Sequence, residues 1–158
     1  MITVILNCYK RPQYLKEQID AIKNQTVKID EIIVWYNKPE DEKQYNISGL
    51  GARVIMCDSN FKFHGRFAAA LLAKSKYVAL FDDDTIPGTK WFENCINCMK
   101  THPGIYGSSG VVLHTDYYEP NHKVGWNGNP NNEDIEEVDL VGHAWFMKRQ
   151  DVEYLWRE

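Results

Sequence analysis

The chain is 158 residues long, 44% hydrophobic and 25% charged, which supplies one globular core and argues against disorder. A formal net charge of −4 argues against a nucleic-acid groove, because backbone phosphates are held by a surplus of Lys and Arg gathered on one face. No stretch nears the roughly 20 apolar residues that span a bilayer, and Met1 leads at once into a strand-like run, so the expectation is a cytoplasmic chain with no transmembrane segment and no leader.

In chain order, apolar residues run or alternate over Thr3 to Leu6, Glu31 to Tyr36, Arg53 to Met56, Tyr77 to Phe81, Gly110 to Leu113 and Val138 to Met147, and each run predicts a strand. Between the first two, Leu15, Ile19 and Ile22 recur at spacings of four and three, the stripe of a helix over Tyr14 to Gln25 opened by Pro12. Further helices are predicted over Arg66 to Lys74 and Trp91 to Met99, the latter stopped by His102-Pro103-Gly104. The alternation predicts an α/β domain on a mainly parallel sheet flanked by helices, whose ligands bind outside the carboxyl ends of the strands.

The polar stretch Asp116 to Asp134 is too long for a turn and reads as a mobile loop or lid. Tyr117, Tyr118 and Trp126 beside it either stack on a ring of a bound ligand or pin the loop to the body. Cys8, Cys57, Cys95 and Cys98 read as free thiols. Cys95 and Cys98 have the spacing of half a zinc site, but their helix also carries Phe92 and Met99, which favours core packing.

Tyr77-Val78-Ala79-Leu80-Phe81 reads as a buried parallel strand that delivers Asp82, Asp83 and Asp84 at its carboxyl end. Strand alternation places Asp82 and Asp84 on one side and Asp83 on the other. Two carboxylates about 6 Å apart at an effective dielectric of about 20 repel by roughly 3 kcal/mol. A shared Mg or Mn ion would offset that repulsion, since hard cations take carboxylate oxygens together with substrate phosphates. The alternative is a solvated turn in which Asp83 or Asp84 caps the helix near Pro87.

Leu80-Phe81-Asp82-Asp83-Asp84-Thr85-Ile86-Pro87 resembles the acidic motif of GT-A glycosyltransferases, a hydrophobic strand ending in Asp-x-Asp with a proline following. Val4-Ile5-Leu6-Asn7-Cys8-Tyr9-Lys10-Arg11 and Glu31 to Asn37 are similar to the first two nucleotide-binding strands of family 2 enzymes. Asn60 to Ala70 resembles the segment before the acidic motif, there and in exostosin-like transferases, and Val141 to Arg149 the late strand lining the acceptor site.

The resemblance implies a single Rossmann-like GT-A domain over 1–158, with the nucleotide-sugar donor bound by 1–90 and a saccharide or other hydroxyl acceptor met by 91–158. It implies that Asp84 ligates Mn or Mg, that Asp82 contacts ribose or metal, and that Asp83 faces the donor sugar. Asn7, Tyr9, Arg11 and Asn37 would surround base and ribose. Arg66, opening its helix on the ligand side, suits a diphosphate in its own right; a plain surface cation is the alternative. His143 in its apolar strand is either a satisfied core residue or, as in some GT-A enzymes, a further metal ligand. His114 is a weaker version of the same idea, while His64, His102 and His122 read as solvated.

In the resembling families a later acidic pair supplies the general base, and this sequence ends at Glu158 before that position. Three readings stay open: a C-terminally truncated enzyme, another acid such as Asp139 serving as base, or a domain that only binds nucleotide-sugar. Two enzyme rivals fit less well. A haloacid-dehalogenase phosphatase expects Thr or Val where Ile86 stands and its acidic motif on the first strand, and a nucleotidyltransferase expects a glycine-rich loop where Cys8 to Pro12 stand.

Overall fold

The computed structural model describes residues 1–39, 46–113, 120–125 and 135–157. Among the described residues eight strands and three helices follow one another as β1 (Ile2–Cys8), α1 (Leu15–Lys23), β2 (Glu31–Tyr36), β3 (Arg53–Met56), α2 (His64–Ala70), β4 (Tyr77–Phe81), α3 (Trp91–Thr101), β5 (Ser109–Leu113), β6 (Pro120–Val124), β7 (Leu140–Gly142) and β8 (Ala144–Lys148). Short 3₁₀ segments, Pro12–Tyr14 and Arg149–Trp156, precede α1 and follow β8.

The main sheet has the order β3-β2-β1-β4-β8, the first four strands parallel and β8 antiparallel on β4. Every residue of β1 is buried, because the central strand of a parallel sheet is covered on both faces and so reads as a near-continuous apolar run. On one face Val4, Leu6 and Cys8 pack with Leu15, Ile19 and Ile22 of α1 and with Phe92, Cys95 and Met99 of α3. On the other, Ile5, Ile33 and Leu80 pack with Ala69 and Ala70 of α2 and with Val152. The small residues of α2 bring its backbone close to the sheet. At Gly65 a Cβ would collide with the Trp35 indole.

The predicted strand over Val138 to Met147 is two strands in two sheets. β7 joins a three-stranded antiparallel sheet, β6-β5-β7, while β8 closes the main sheet. His143 between them has φ of 63°, the left-handed region that lets the chain leave one sheet and enter the other within one residue. His143 therefore lies at a junction and not within a strand. The stretch read as a loop or lid also contains β6, paired antiparallel with β5. Positions 114–119 and 126–134, with His114, Tyr117, Tyr118 and Trp126, lie outside the described residues.

Candidate functional site: an acidic turn between two arginines

β4 ends at Phe81, and the next four residues form a turn closed by the Thr85 N–H donating to the Asp82 carbonyl at 3.2 Å. Asp83 and Asp84 are its central residues, so strand alternation does not carry through the triplet. The side chains are sorted by their cations instead. Arg11, in the loop after β1, donates Nη2 to Asp83 Oδ1 at 2.7 Å and Nη1 to Asp84 Oδ2. Arg66 of α2 pairs with Asp82.

Exposure then separates the three acids. The side chains of Asp84 and Asp82 are 36% and 27% exposed, whereas that of Asp83 is 10% exposed. The Arg66 guanidinium lies 5.8 Å from the Trp145 ring, and its Nε is buried with no protein partner. Desolvation opposes the charge on Arg11, but Asp83 and then Asp84 outweigh it and raise its pKa. Beneath the turn, burial and then the Asp83 charge push the Cys8 thiol up to about 11, which keeps it neutral and unreactive.

The backbone around the turn is tied on both sides. Asp82 N–H donates to the His143 carbonyl at 3.2 Å, so the junction of the two sheets abuts the acidic turn. From α1, Gln18 Nε2 donates to the carbonyls of Asp82 at 2.7 Å and Thr85 at 2.9 Å. Gln18, which the sequence analysis does not single out, is thus tied directly to the acidic turn. Its signal is a glutamine three residues after Leu15, on the same stripe as Ile19 and Ile22, where an apolar side chain is expected.

Asn7, on β1, is 6% exposed and its Oδ1 is buried without a protein partner, an unfilled acceptor at the carboxyl end of the sheet. Asn37 is 1% exposed and engaged at both polar atoms: Nδ2 donates to the Lys62 carbonyl at 3.0 Å and Oδ1 accepts the Phe61 N–H at 2.8 Å. Here it clamps the loop that leads into α2. Tyr9 is partly exposed, with Lys10 Nζ 5.1 Å from its ring centre. Asp139 lies elsewhere, on the small sheet, where its carboxylate accepts the Leu113 N–H at 2.8 Å and its own N–H donates to Val111 at 3.0 Å.

Residues 3–156 match the family described as Glycosyl transferase family 2. The chain belongs to this family. Among curated family relatives it is 31% identical over 114 residues to an uncharacterized glycosyltransferase of Methanocaldococcus jannaschii, covering 66% of this chain and 39% of that protein. It is 24% identical over 121 residues to the Escherichia coli UDP-Glc:alpha-D-GlcNAc-diphosphoundecaprenol beta-1,3-glucosyltransferase WfaP, covering 74% of this chain and 48% of that protein. The chain thus spans half or less of the length of these relatives. Among solved structures, S. aureus TarS 1–349 superposes with a TM-score of 0.63 at 14% identity, covering 98% of this chain and 48% of that one. That likeness bears out the GT-A fold. TarS 1–349 has also been solved with UDP and with UDP-GlcNAc.

The family's fold raises the question of a divalent cation. Among the described residues no three His, Cys, Asp or Glu side chains converge into a protein cage for a metal. The acidic turn does offer two accessible carboxylates, Asp82 and Asp84, and an all-oxygen donor set of this kind suits Mg or Mn completed by substrate phosphates. The donor chemistry fits. Among the described residues, no helix is long and apolar enough to cross a membrane.

Proposed function

We propose that this domain binds a nucleoside diphosphate sugar at the carboxyl ends of β1, β2 and β4 and supports transfer of its sugar to an acceptor hydroxyl. The observation that carries the reading is the cluster itself: Arg11 and Arg66, from two separate elements, converge on three successive carboxylates at a strand end. Guanidinium forks match phosphate oxygens, and in this reading the incoming diphosphate exchanges places with carboxylates as their partner. UDP-sugars are the first donors to test, because WfaP is named for UDP-Glc and TarS was solved with UDP and UDP-GlcNAc.

In this reading residues 1–90 hold the donor and 91–158 face the acceptor. Asp84 and Asp82, the exposed acids, would hold Mn or Mg, and the bound ion would supply charge neutralisation to the departing diphosphate. Arg66 contributes to the same end by hydrogen-bonding the phosphates as negative charge grows on them. Asn7 offers its open acceptor to the nucleoside, with Tyr9 at the rim. Asn37 acts through the loop that it clamps. His143, next to Asp82 through its backbone, adds a candidate imidazole ligand.

Asp139 is the proposed general base, and its engagement with Leu113 favours a second reading in which the domain binds donor without transferring it. Calorimetry with UDP-, GDP-, dTDP- and CMP-sugars, each with and without Mn, tests the first part. Binding of at least one donor, strengthened by Mn, is expected, and no binding by any of them would overturn the reading. Transfer to a panel of acceptor sugars, abolished by Asp139→Asn, would make Asp139 the base. Donor binding with no transfer would establish the second reading.

A further inference from the structure

Gln18 is 1% exposed, a polar side chain on the apolar stripe by which α1 packs on the sheet. Its amide donates to the carbonyl of Asp82 and to that of Thr85, the first and last residues of the acidic turn. One rigid helical side chain thus grips both ends of the segment that carries all three carboxylates. The grip has a cost, since Gln18 Oε1 is buried with no protein partner. An apolar residue would avoid that cost, as its stripe neighbours Leu15, Ile19 and Ile22 do.

We propose that Gln18 is a positioning residue for the donor site, holding the turn so that Asp82 faces Arg66 while Asp83 and Asp84 face Arg11. The proposal rests on the reading of the acidic turn as the diphosphate end of a nucleotide-sugar site. Three adjacent like charges push a turn toward wider conformations. The Thr85 N–H to Asp82 carbonyl bond alone closes it locally, whereas the Gln18 amide ties it to a helix buried against β1. Sites that recognise phosphate by forked charge pairs lose affinity when their groups move by a fraction of an ångström. The nucleoside end of the ligand, by contrast, is met by β1, β2 and the loop before α2, none of which Gln18 touches through these bonds.

The test is calorimetric titration of UDP and of uridine, with Mn present, into the wild-type chain, Gln18→Met and Gln18→Glu. Gln18→Met keeps length and volume but removes both donors, so UDP affinity is expected to fall about 10-fold while uridine affinity stays as in wild type. Gln18→Glu keeps the shape of the side chain but loses at least one of the two donors, so its UDP affinity is expected to fall as well, again with uridine affinity unchanged. A purely structural role would not separate UDP from uridine in this way. Thermal melts accompany each titration, and the Gln18→Glu series decides alone if Gln18→Met does not fold. A folded Gln18→Met that binds UDP like wild type, or equal losses of UDP and uridine, would overturn the proposal. Failure of the wild-type chain to bind UDP would remove the donor-site reading and the proposal with it.

Discussion

Replacing Arg11 by Gln is expected to move stability and cation affinity in opposite directions. The guanidinium bridges Asp83, whose side chain is 10% exposed, and Asp84, 36% exposed, while Arg66 pairs with the Asp82 carboxylate. Loss of Arg11 leaves Asp83 nearly buried without its cation. Hydrogen bonds to charged groups contribute about 1.5–3 kcal/mol each, but Arg11 is itself 46% exposed and screened by solvent, which lowers the cost to about 1–2 kcal/mol. The melting temperature should drop by a few degrees.

Cation binding should respond the other way. A divalent ion about 5 Å from a guanidinium is repelled by roughly 2 kcal/mol even at the dielectric of bulk water, about 80. Without nucleotide, Arg11→Gln should therefore bind Mn about 15- to 30-fold more tightly than wild type. Electron paramagnetic resonance titration of free Mn, run beside thermal melts of the same samples, reads both quantities. A variant destabilised as calculated whose Mn affinity is unchanged or weaker would refute the reasoning, because Arg11 would then not occupy the place a cation takes.

Asp84→Asn should weaken Mn-dependent UDP binding more than Asp83→Asn, since Asp84 is the more exposed carboxylate; equal effects by calorimetry would count against this assignment. Arg66→Ala should lower affinity for UDP and leave uridine binding nearly unchanged, because only the phosphates lose a partner, and matched titrations of the two ligands check it. Stability should fall in alkali. Burial, foremost, raises Cys8 to about 11 and Cys95 to about 12 from an ordinary 9.0, so the unfolded thiols ionise first. The folded state is then fully favoured below about pH 9 and loses ground as pH climbs toward 11 and 12, at a slope of about 1.4 kcal/mol per thiol for each pH unit. Urea midpoints under reducing conditions at several alkaline pH values should show the decline, and Cys95→Ala should flatten it.

What the sequence disclosed depended on how far apart the cooperating residues lie. β2, β3 and β4 have the bounds read from their apolar runs, because each is short and sheet-packed, and β2 and β4 are also flanked by polar residues. The α1 stripe was equally plain. The break at His143 was not, because β7 and β8 are both partly buried and the apolar run continues across a junction at which the left-handed residue is a histidine and not a glycine. β6 escaped because its sequence, Pro-Asn-His-Lys-Val, carries little β-propensity and gains its place from pairing with β5. At the site, the location of the acids followed from strand topology, but their grouping did not. Arg11 and Asp84 are 73 residues apart, and Gln18 and Asp82 are 64 apart, distances over which local pattern says nothing about pairing.

The parallel register gives the domain two poles of different character. Ile2, Tyr77 and Lys148 lie side by side across β1, β4 and β8, at the end of the sheet opposite the acidic turn. There Tyr77 N–H donates to the Met1 carbonyl at 3.2 Å and Arg149 N–H to the Lys76 carbonyl at 2.9 Å. A biosensor chip, a bead or a fused fluorophore attached through Met1 would accordingly sit behind the molecule, with the arginine-lined mouth turned outward to whatever flows past.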